Sequence, residues 1–360
     1  MKLVWALLLF STINAQLVNL IKHPYATLGT DTYLTASTSA GDIDNDGDVD
    51  IIVANGRHWS QFNQIFFNDG SGFFRRSKVL GDEANTSYMV PLADIDNDGD
   101  LDIVVANDRI KNQVFINDGK GNFSLKTTFG RQASNTRGIC LADVNNDGYI
   151  DAIEANRKSQ NFIYFNNGQG SFEREMAFGK NDEATISIAA SDLNGDGKLD
   201  LILANRNKQP NRIYFGPDYS KSLIFGSGND ETRQVAVADM DGDGKPDIVV
   251  SNIGEKNKIF YNSGTDQFQR SFSFGNPRDK TMSIALGDLD QDGDIDIVEG
   301  NNGKKNYFLI NNSGNFRLTR FSTNNKITYG ITLGDVNNDG RLDIIEANSG
   351  SINNIFFNKK

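Results

Sequence analysis

A nine-residue pattern of oxygen-bearing side chains at alternate positions around a fixed glycine recurs seven times in this chain of 360 residues. Its fullest form reads DIDNDGDLD, from Asp94 to Asp102. The copies begin at Asp42, Asp94, Asp143, Asp192, Asp239, Asp288 and Asp335, so the interval stays between 47 and 52 residues. A period this regular constrains the fold before composition is consulted, because each repeat is then one supersecondary unit stacked on its neighbours. The pattern itself is a donor set for a hard cation. Ca2+ takes six to eight oxygens at about 2.3–2.6 Å, and side chains at positions 1, 3, 5 and 9 with a carbonyl at 7 deliver them from one short segment.

Three loops carry five aspartates each: Asp42, Asp44, Asp46, Asp48 and Asp50; Asp94, Asp96, Asp98, Asp100 and Asp102; and Asp288, Asp290, Asp292, Asp294 and Asp296. The loop of Asp239, Asp241, Asp243 and Asp247 has Lys245 at position 7. The remaining three replace the position-3 carboxylate by an amide and vary at position 7: Asp143, Asn145, Asp147, Tyr149 and Asp151; Asp192, Asn194, Asp196, Lys198 and Asp200; Asp335, Asn337, Asp339, Arg341 and Asp343. Position 7 ligates through its carbonyl, so its side chain is free to change. Ligand charge is one determinant of affinity, which predicts graded binding, tightest in the first, second and sixth copies. A strand pattern follows each loop, so these are not EF-hands. Up to seven structural Ca2+ ions are expected to pin the strands on either side, in preference to a sensor role.

Charge fits this reading. The seven loops hold 28 of the 47 acidic residues and three of the 36 basic ones, which leaves the rest of the chain basic although the formal net charge is −11. Bound calcium would cancel most of the acidity.

Each copy also carries four strand signals. An apolar run enters the loop and a β-branched run such as LDIVVAN (Leu101 to Asn107) leaves it. A third run, NQVFIN in the second copy, follows a short polar connection. A turn such as NDGKGNF then opens a fourth strand ending in Phe-Gly, as at Phe129-Gly130 and Phe178-Gly179. Four strands in about 48 residues match a propeller blade better than a calcium β-roll, whose period is near nine. The expected fold is all-β, a seven-bladed propeller of four-stranded blades, A to D. Only 17 residues follow Asp343, enough for strands B and C but not D. The segment from Leu17 to Gly29 ends ATLG, like the VLG at Val79 to Gly81, and is expected to supply the missing strand and close the ring.

Seven in-phase copies of this loop, coupled to Phe-Gly strand ends, resemble FG-GAP repeat proteins of the VCBS-like branch, relatives of the integrin α-chain propeller. The resemblance covers residues 17 to 360 and implies calcium in the loop joining strands A and B, with partner contacts on the opposite face. It departs from the pattern at Leu28-Gly29, Leu80-Gly81 and Phe321-Ser322. The rest of an integrin, and its signalling, does not carry over.

Residues 1–15 have the anatomy of a secretory signal peptide: Lys2, an apolar run from Leu3 to Phe10, and small or polar residues to Ala15. Residues 16–360 form one domain, expected to be secreted, or periplasmic or cell-surface in a bacterium. No later run is long and apolar enough to span a membrane. The lone Cys140 has no partner for a disulfide and reads as a small buried hydrophobe. Asn85, Asn122 and Asn311 open N-x-Ser sequons. A monomer is expected, and no nucleic-acid motif is present.

Function is sought away from the calcium loops. Glu154, Glu299 and Glu346 stand at position 12, about 10 Å beyond position 9 at about 3.3 Å per residue, and cannot reach the same ion. Glu299 and Glu346, in adjacent blades, are weak candidates for acid/base work on a uronic substrate. Pairing with strand A groups such as Arg137, or with backbone amides, is preferred for these glutamates. The B–C connections carry Arg57, Arg109, Lys111, Arg157, Lys158, Arg206, Lys208, Lys256, Lys304 and Lys305, a basic rim suited to acidic ligands. The first of them, NGRHWSQFN (Asn55 to Asn63), is three residues longer than usual and holds Arg57, His58 and Trp59. Trp59 either folds back as a plug over the channel or blade 1, the preferred reading, or stays exposed where it can stack on a sugar. The expected function is recognition of an extracellular glycan or protein. The alternatives are a polysaccharide lyase-like enzyme and a structural extracellular component.

Overall fold

The computed structural model describes residues 17–264, 268–323 and 325–359, so the expected signal peptide lies outside the described residues. Every regular element among them is a strand, and no helix is long and apolar enough to cross a membrane. Seven sheets, each of antiparallel neighbours in the order A-B-C-D, form the blades. Blade 1, for example, is Ser37–Gly41, Asp50–Ala54, Gln64–Phe67 and Arg76–Val79.

Strand B is buried along its whole length in all blades; Asp102–Asn107 is buried at each of its six positions. Both of its faces meet a neighbouring blade, which is why the sequence there is predominantly apolar and not alternating, with buried Glu154, Glu299 and Glu346 interrupting it in three blades. The core accordingly lies between blades: Ile43, Ile52 and Ile65 of blade 1 pack on Val90, Ile103 and Phe115 of blade 2. Cys140, half-buried among Ala142, Ala190 and Leu199 of one such layer, has its thiol pushed up to about 11 by burial.

The ring closes as expected. Leu20–Leu28 pairs antiparallel with Asn353–Asn358, with Leu20 opposite Asn358 and Leu28 opposite Asn353. The register slips between Lys22 and Thr27, around Pro24, which has no N–H to give the ladder. Ala26 and Leu28 then join Ile345, Ile355 and Phe357 in one apolar layer, tying the two ends of the chain together.

Polar groups hold adjacent blades in register. The asparagine ending strand C donates its amide backward to the previous blade's calcium-type loop. Asn117 Nδ2 reaches the Ile43 carbonyl at 2.8 Å and Asn166 Nδ2 the Ile95 carbonyl at 2.7 Å. Asn262, Asn311, Asn358 and Asn68 repeat the contact on Leu193, Met240, Leu289 and Val336. Blade 4 has Gly216 at this place and makes no such bond; the Tyr219 hydroxyl instead reaches the Leu199 carbonyl at 3.2 Å within the blade.

The innermost strand carries a second repeated irregularity. In blades 2 to 7 the pairing of strand A with strand B slips by one residue just after a Ser or Thr, at Tyr88, Arg137, Ile186, Arg233, Met282 and Tyr329. A bulge re-aims the side chain it carries. These six residues, with Ala36 of blade 1, line the axial channel.

Candidate metal loops and the axial face

In four loops the carboxylates of positions 1, 3 and 9 converge, with oxygens within 4.8 Å of one another: Asp42/Asp44/Asp50, Asp94/Asp96/Asp102, Asp239/Asp241/Asp247 and Asp288/Asp290/Asp296. The position-9 aspartate is the anchor. Asp102 is fully buried, accepting the Ile95 amide on Oδ2 at 2.8 Å and the Asn117 amide on Oδ1 at 2.8 Å. The position-1 and position-5 carboxylates shape the turn: Asp94 Oδ2 accepts the Gly99 amide at 3.0 Å and Asp98 Oδ1 the Asp100 amide at 3.0 Å. Gly99 sits at φ +96°, in the left-handed region where a side chain is strained, and glycine there gives the loop its sharp reversal.

The inner oxygens of position 3 decide what the loop can hold. Asp44, Asp96, Asp241 and Asp290 each have a buried Oδ1 that accepts no hydrogen bond. A buried anionic oxygen without a donor is costly. The same feature in four separate loops fits a cation at the centre. Electrostatics agree: burial, then the charges of Asp292 and Asp288, raises Asp290 to about 6, and burial raises Asp50, Asp296 and Asp343 to about 7. The loops with asparagine at position 3 differ. The Asn145 and Asn194 amides donate to Asp147 and Asp196 at 2.9 and 3.1 Å, which leaves a weaker donor set.

On the opposite side, the expected basic rim divides into two groups. Arg109, Lys111, Lys158, Lys208, Lys256 and Lys304 are exposed, whereas Arg57, Arg157, Arg206 and Lys305 are half-buried. Arg57 lies 3.8 Å over the Tyr329 ring and donates to the Tyr329 hydroxyl at 2.6 Å and to Ser349 Oγ at 3.2 Å. Arg157 donates to Asn207 Oδ1 at 3.2 Å, and Arg206 pairs with Glu231 at 3.4 Å. Arg137, from the innermost strand, lies 4.3 Å over Tyr88 and pairs with Asp108 at 2.7 Å. Arg233 joins them on the same wall. The channel cavity that Tyr88, Arg137, Arg233 and Tyr329 line has a volume of about 190 Å³.

The long first connection behaves differently from the preferred expectation. Trp59 is 74 % exposed and does not plug the channel. His58 turns toward the axis in its place, with Nδ1 3.2 Å from the Tyr88 hydroxyl. Burial, then the charges of Arg57 and Arg137, holds the His58 imidazole below its ordinary range, so it is neutral at pH 7.

The three glutamates are fasteners between blades. Glu154 is fully buried, accepting Asn112 Nδ2 and Thr136 Oγ1 at 2.8 Å each. Glu299 and Glu346, each 1 % exposed, accept Asn257 Nδ2 at 2.8 Å and Asn306 Nδ2 at 2.6 Å. Asn112, Asn257 and Asn306 all belong to the preceding blade. Glu299 and Glu346 therefore offer no surface to a substrate, and Arg137, expected near Glu154, pairs with Asp108 instead. Of the sequons, Asn85 and Asn311 are buried and Asn122 is exposed.

The FG-GAP-like repeat profile matches six overlapping windows, 42–105, 94–154, 143–203, 192–250, 239–299 and 288–346. The chain belongs to this family. Among solved structures it is similar to BBS1N in complex with ARL6DN. The lead-soaked crystal gives a TM-score of 0.64 and the mercury-soaked one 0.65, each at 9 % identity and covering 95 % of this chain and 97 % of that one. At this identity the likeness speaks for the fold alone. A search of curated protein sequences finds no match.

What the FG-GAP-like repeats share is thus the metal-loop side, and what they do not share lies on the axis. Sequence reasoning missed Arg233, Tyr88 and Tyr329 as site residues. A signal was available: each follows a Ser or Thr at the same phase of the repeat, a phase occupied in turn by Ala36, Tyr88, Arg137, Ile186, Arg233, Met282 and Tyr329.

Proposed function

We propose that this FG-GAP-like propeller is an exported, calcium-stabilised recognition module that binds an acidic glycan, or an acidic protein surface of the same chemistry, through the face bearing the B–C connections. The observation that carries this reading is the gathering of Arg57, Arg137, Arg157, Arg206 and Arg233 around one channel mouth, where Asp108 and Glu231 are the two carboxylates paired with them. Such a patch attracts and orients anions. Trp59, exposed beside it in the sequence, offers a face on which a sugar ring can stack. The similar propeller BBS1N is in complex with a protein, ARL6DN, which supports use of the ring as a docking platform. Calcium is favoured by the all-oxygen donor set. Export is favoured by the anatomy of residues 1–15.

Retention on immobilised sulfated or uronate-containing polysaccharide, against a neutral one, tests the reading. The wild type is held by the acidic supports and released by salt, and Trp59→Ala weakens binding roughly thirtyfold, the effect of a hot-spot residue. Equal binding by the variant removes Trp59 from the site; failure to bind any acidic glycan or protein removes the reading.

One contact favours a second reading, a uronate lyase on the same face. Neutral His58 and Tyr88, 3.2 Å apart, stand among guanidinium groups. In such a reaction the cations neutralise the substrate carboxylate and a base takes the C5 proton. The C5 electron pair forms the C4=C5 double bond of an unsaturated sugar as the C4–O bond breaks, and the Tyr88 hydroxyl or water returns a proton to the leaving oxygen. Incubation with polyuronides and detection of that product by ultraviolet absorbance distinguishes turnover from binding; His58→Ala abolishes it if this reading holds.

A further inference from the structure

Arg233 stands apart from the other guanidinium groups. The bulge between Thr232 and Gln234 aims it into the channel, where it lines the cavity with Tyr88, Arg137 and Tyr329. Arg137 pairs with Asp108, Arg206 with Glu231, Arg57 bonds Tyr329 and Ser349, and Arg157 bonds Asn207. The Arg233 guanidinium makes no hydrogen bond or ion pair with any described residue; it lies over the Tyr329 ring, with 5.1 Å from its guanidinium carbon to the ring centre. Burial, opposed by the Tyr329 ring oxygen and reinforced by Arg206, lowers its pKa to about 10, so it stays charged at neutral pH. Arg233 is half-buried on the channel wall, so its unpaired guanidinium is open to an incoming anion.

We infer that the axial mouth is a binding site for one oxyanionic group, a carboxylate or a sulfate, with Arg233 as the fork that grips it and Arg137 beside it. This deepens the recognition reading above and rests on it for the source of the anion, an acidic glycan. The guanidinium presents parallel donors matched to a planar carboxylate or to one face of a sulfate. The cavity of about 190 Å³ is smaller than an ordinary ligand pocket of roughly 300–1,000 Å³, so it admits a charged substituent and not a whole oligosaccharide. Asp108 and Glu231 are the carboxylates that face this cluster, and each already has its own arginine.

The test uses the calcium-loaded chain with sulfate, glucuronate, chloride or neutral glucose at constant ionic strength, read by thermal shift and titration calorimetry. Sulfate or glucuronate raises the melting temperature of the wild type and of Arg317→Met, an exposed control on the outermost strand Asn315–Arg320. Neither anion moves Arg233→Met or Arg233→Gln, whose affinity falls roughly thirtyfold or more. In chloride the Arg233→Met protein melts no lower than the wild type, because a charge without a partner has been removed. Response to glucuronate alone assigns a carboxylate, and response to sulfate alone a sulfate ester. Equal shifts in wild type and Arg233 variants, or none in either, overturn the inference. Retention of the wild type on acidic polysaccharide is scored separately. Retention with no small-anion effect leaves the recognition face standing and sinks the axial site; the reverse sinks the glycan reading and keeps the site.

Discussion

Chelation of calcium is expected to lower the melting temperature by on the order of 10–20 °C. An ion that binds only the folded chain contributes about 2.7 kcal/mol per site at a hundredfold excess over its dissociation constant, so the four triple-carboxylate loops together supply on the order of 10 kcal/mol. For a chain of this size a kilocalorie per mole shifts the midpoint by about 1–2 °C. The sign of the pH dependence provides a sharper check. The position-9 carboxylates lie at about 7 for Asp50, Asp296 and Asp343 and about 6 for Asp102, Asp151, Asp200 and Asp247, raised chiefly by burial. A carboxyl raised in the folded state binds its proton there first. The chelated protein therefore gains stability as pH falls from about 7 toward 4, while the calcium-loaded protein loses it as protons displace the ion. Calorimetric scans with and without chelator should converge on acidification. Coincident curves at pH 7.5 would show that the loops do not need a metal.

Deletion of residues 17–29 is expected to have the second large effect. It removes strand D of blade 7 and the buried Ala26 and Leu28, and it leaves Asn353–Asn358 as an unpaired edge against the layer of Ile355 and Phe357. Lost apolar burial and ladder hydrogen bonds together cost about 5 kcal/mol. An exposed edge reading Asn-Asn-Ile-Phe-Phe-Asn also invites pairing with a second chain. Denaturation in urea and light scattering at 37 °C read the two consequences. A truncated chain that unfolds at the wild-type midpoint without aggregating would show that closure by the first strand is dispensable.

The blades were legible because every copy repeats the same chemistry at the same phase. An aspartate at position 9, a fully buried strand B and, in six of the seven blades, an asparagine ending strand C leave one way to stack. Closure was legible too, since counting residues after Asp343 exposes a missing strand. For the glutamates, strand spacing favours pairing over catalysis, and Thr136 of strand A does bond Glu154, but spacing does not give their neighbours across the blade interface; only the fold brings Asn257 to Glu299 and Asn306 to Glu346. Trp59 misled for a different reason. A long connection has no repeat to copy, and its course depends on His58 meeting Tyr88 and Arg57 meeting Tyr329, both far away in sequence. Arg233 stayed hidden because a period-2 reading of strand A does not foresee the bulge that turns it inward.

The missing amide at Gly216 makes the seven joints of the ring unequal. At six of them the asparagine ending strand C of one blade rivets it to the loop of the blade before, including both joints of blade 7, where the chain's two ends meet: Asn68 of blade 1 reaches Val336 of blade 7, and Asn358 of blade 7 reaches Leu289 of blade 6. Between blades 3 and 4 the Val144 carbonyl receives no such rivet, and Tyr219 spends its hydroxyl inside blade 4. A closed ring under load parts at its least fastened seam. Here that seam lies mid-chain, so the first opening of the propeller would separate blades 1 to 3 from blades 4 to 7 while the termini stay clasped.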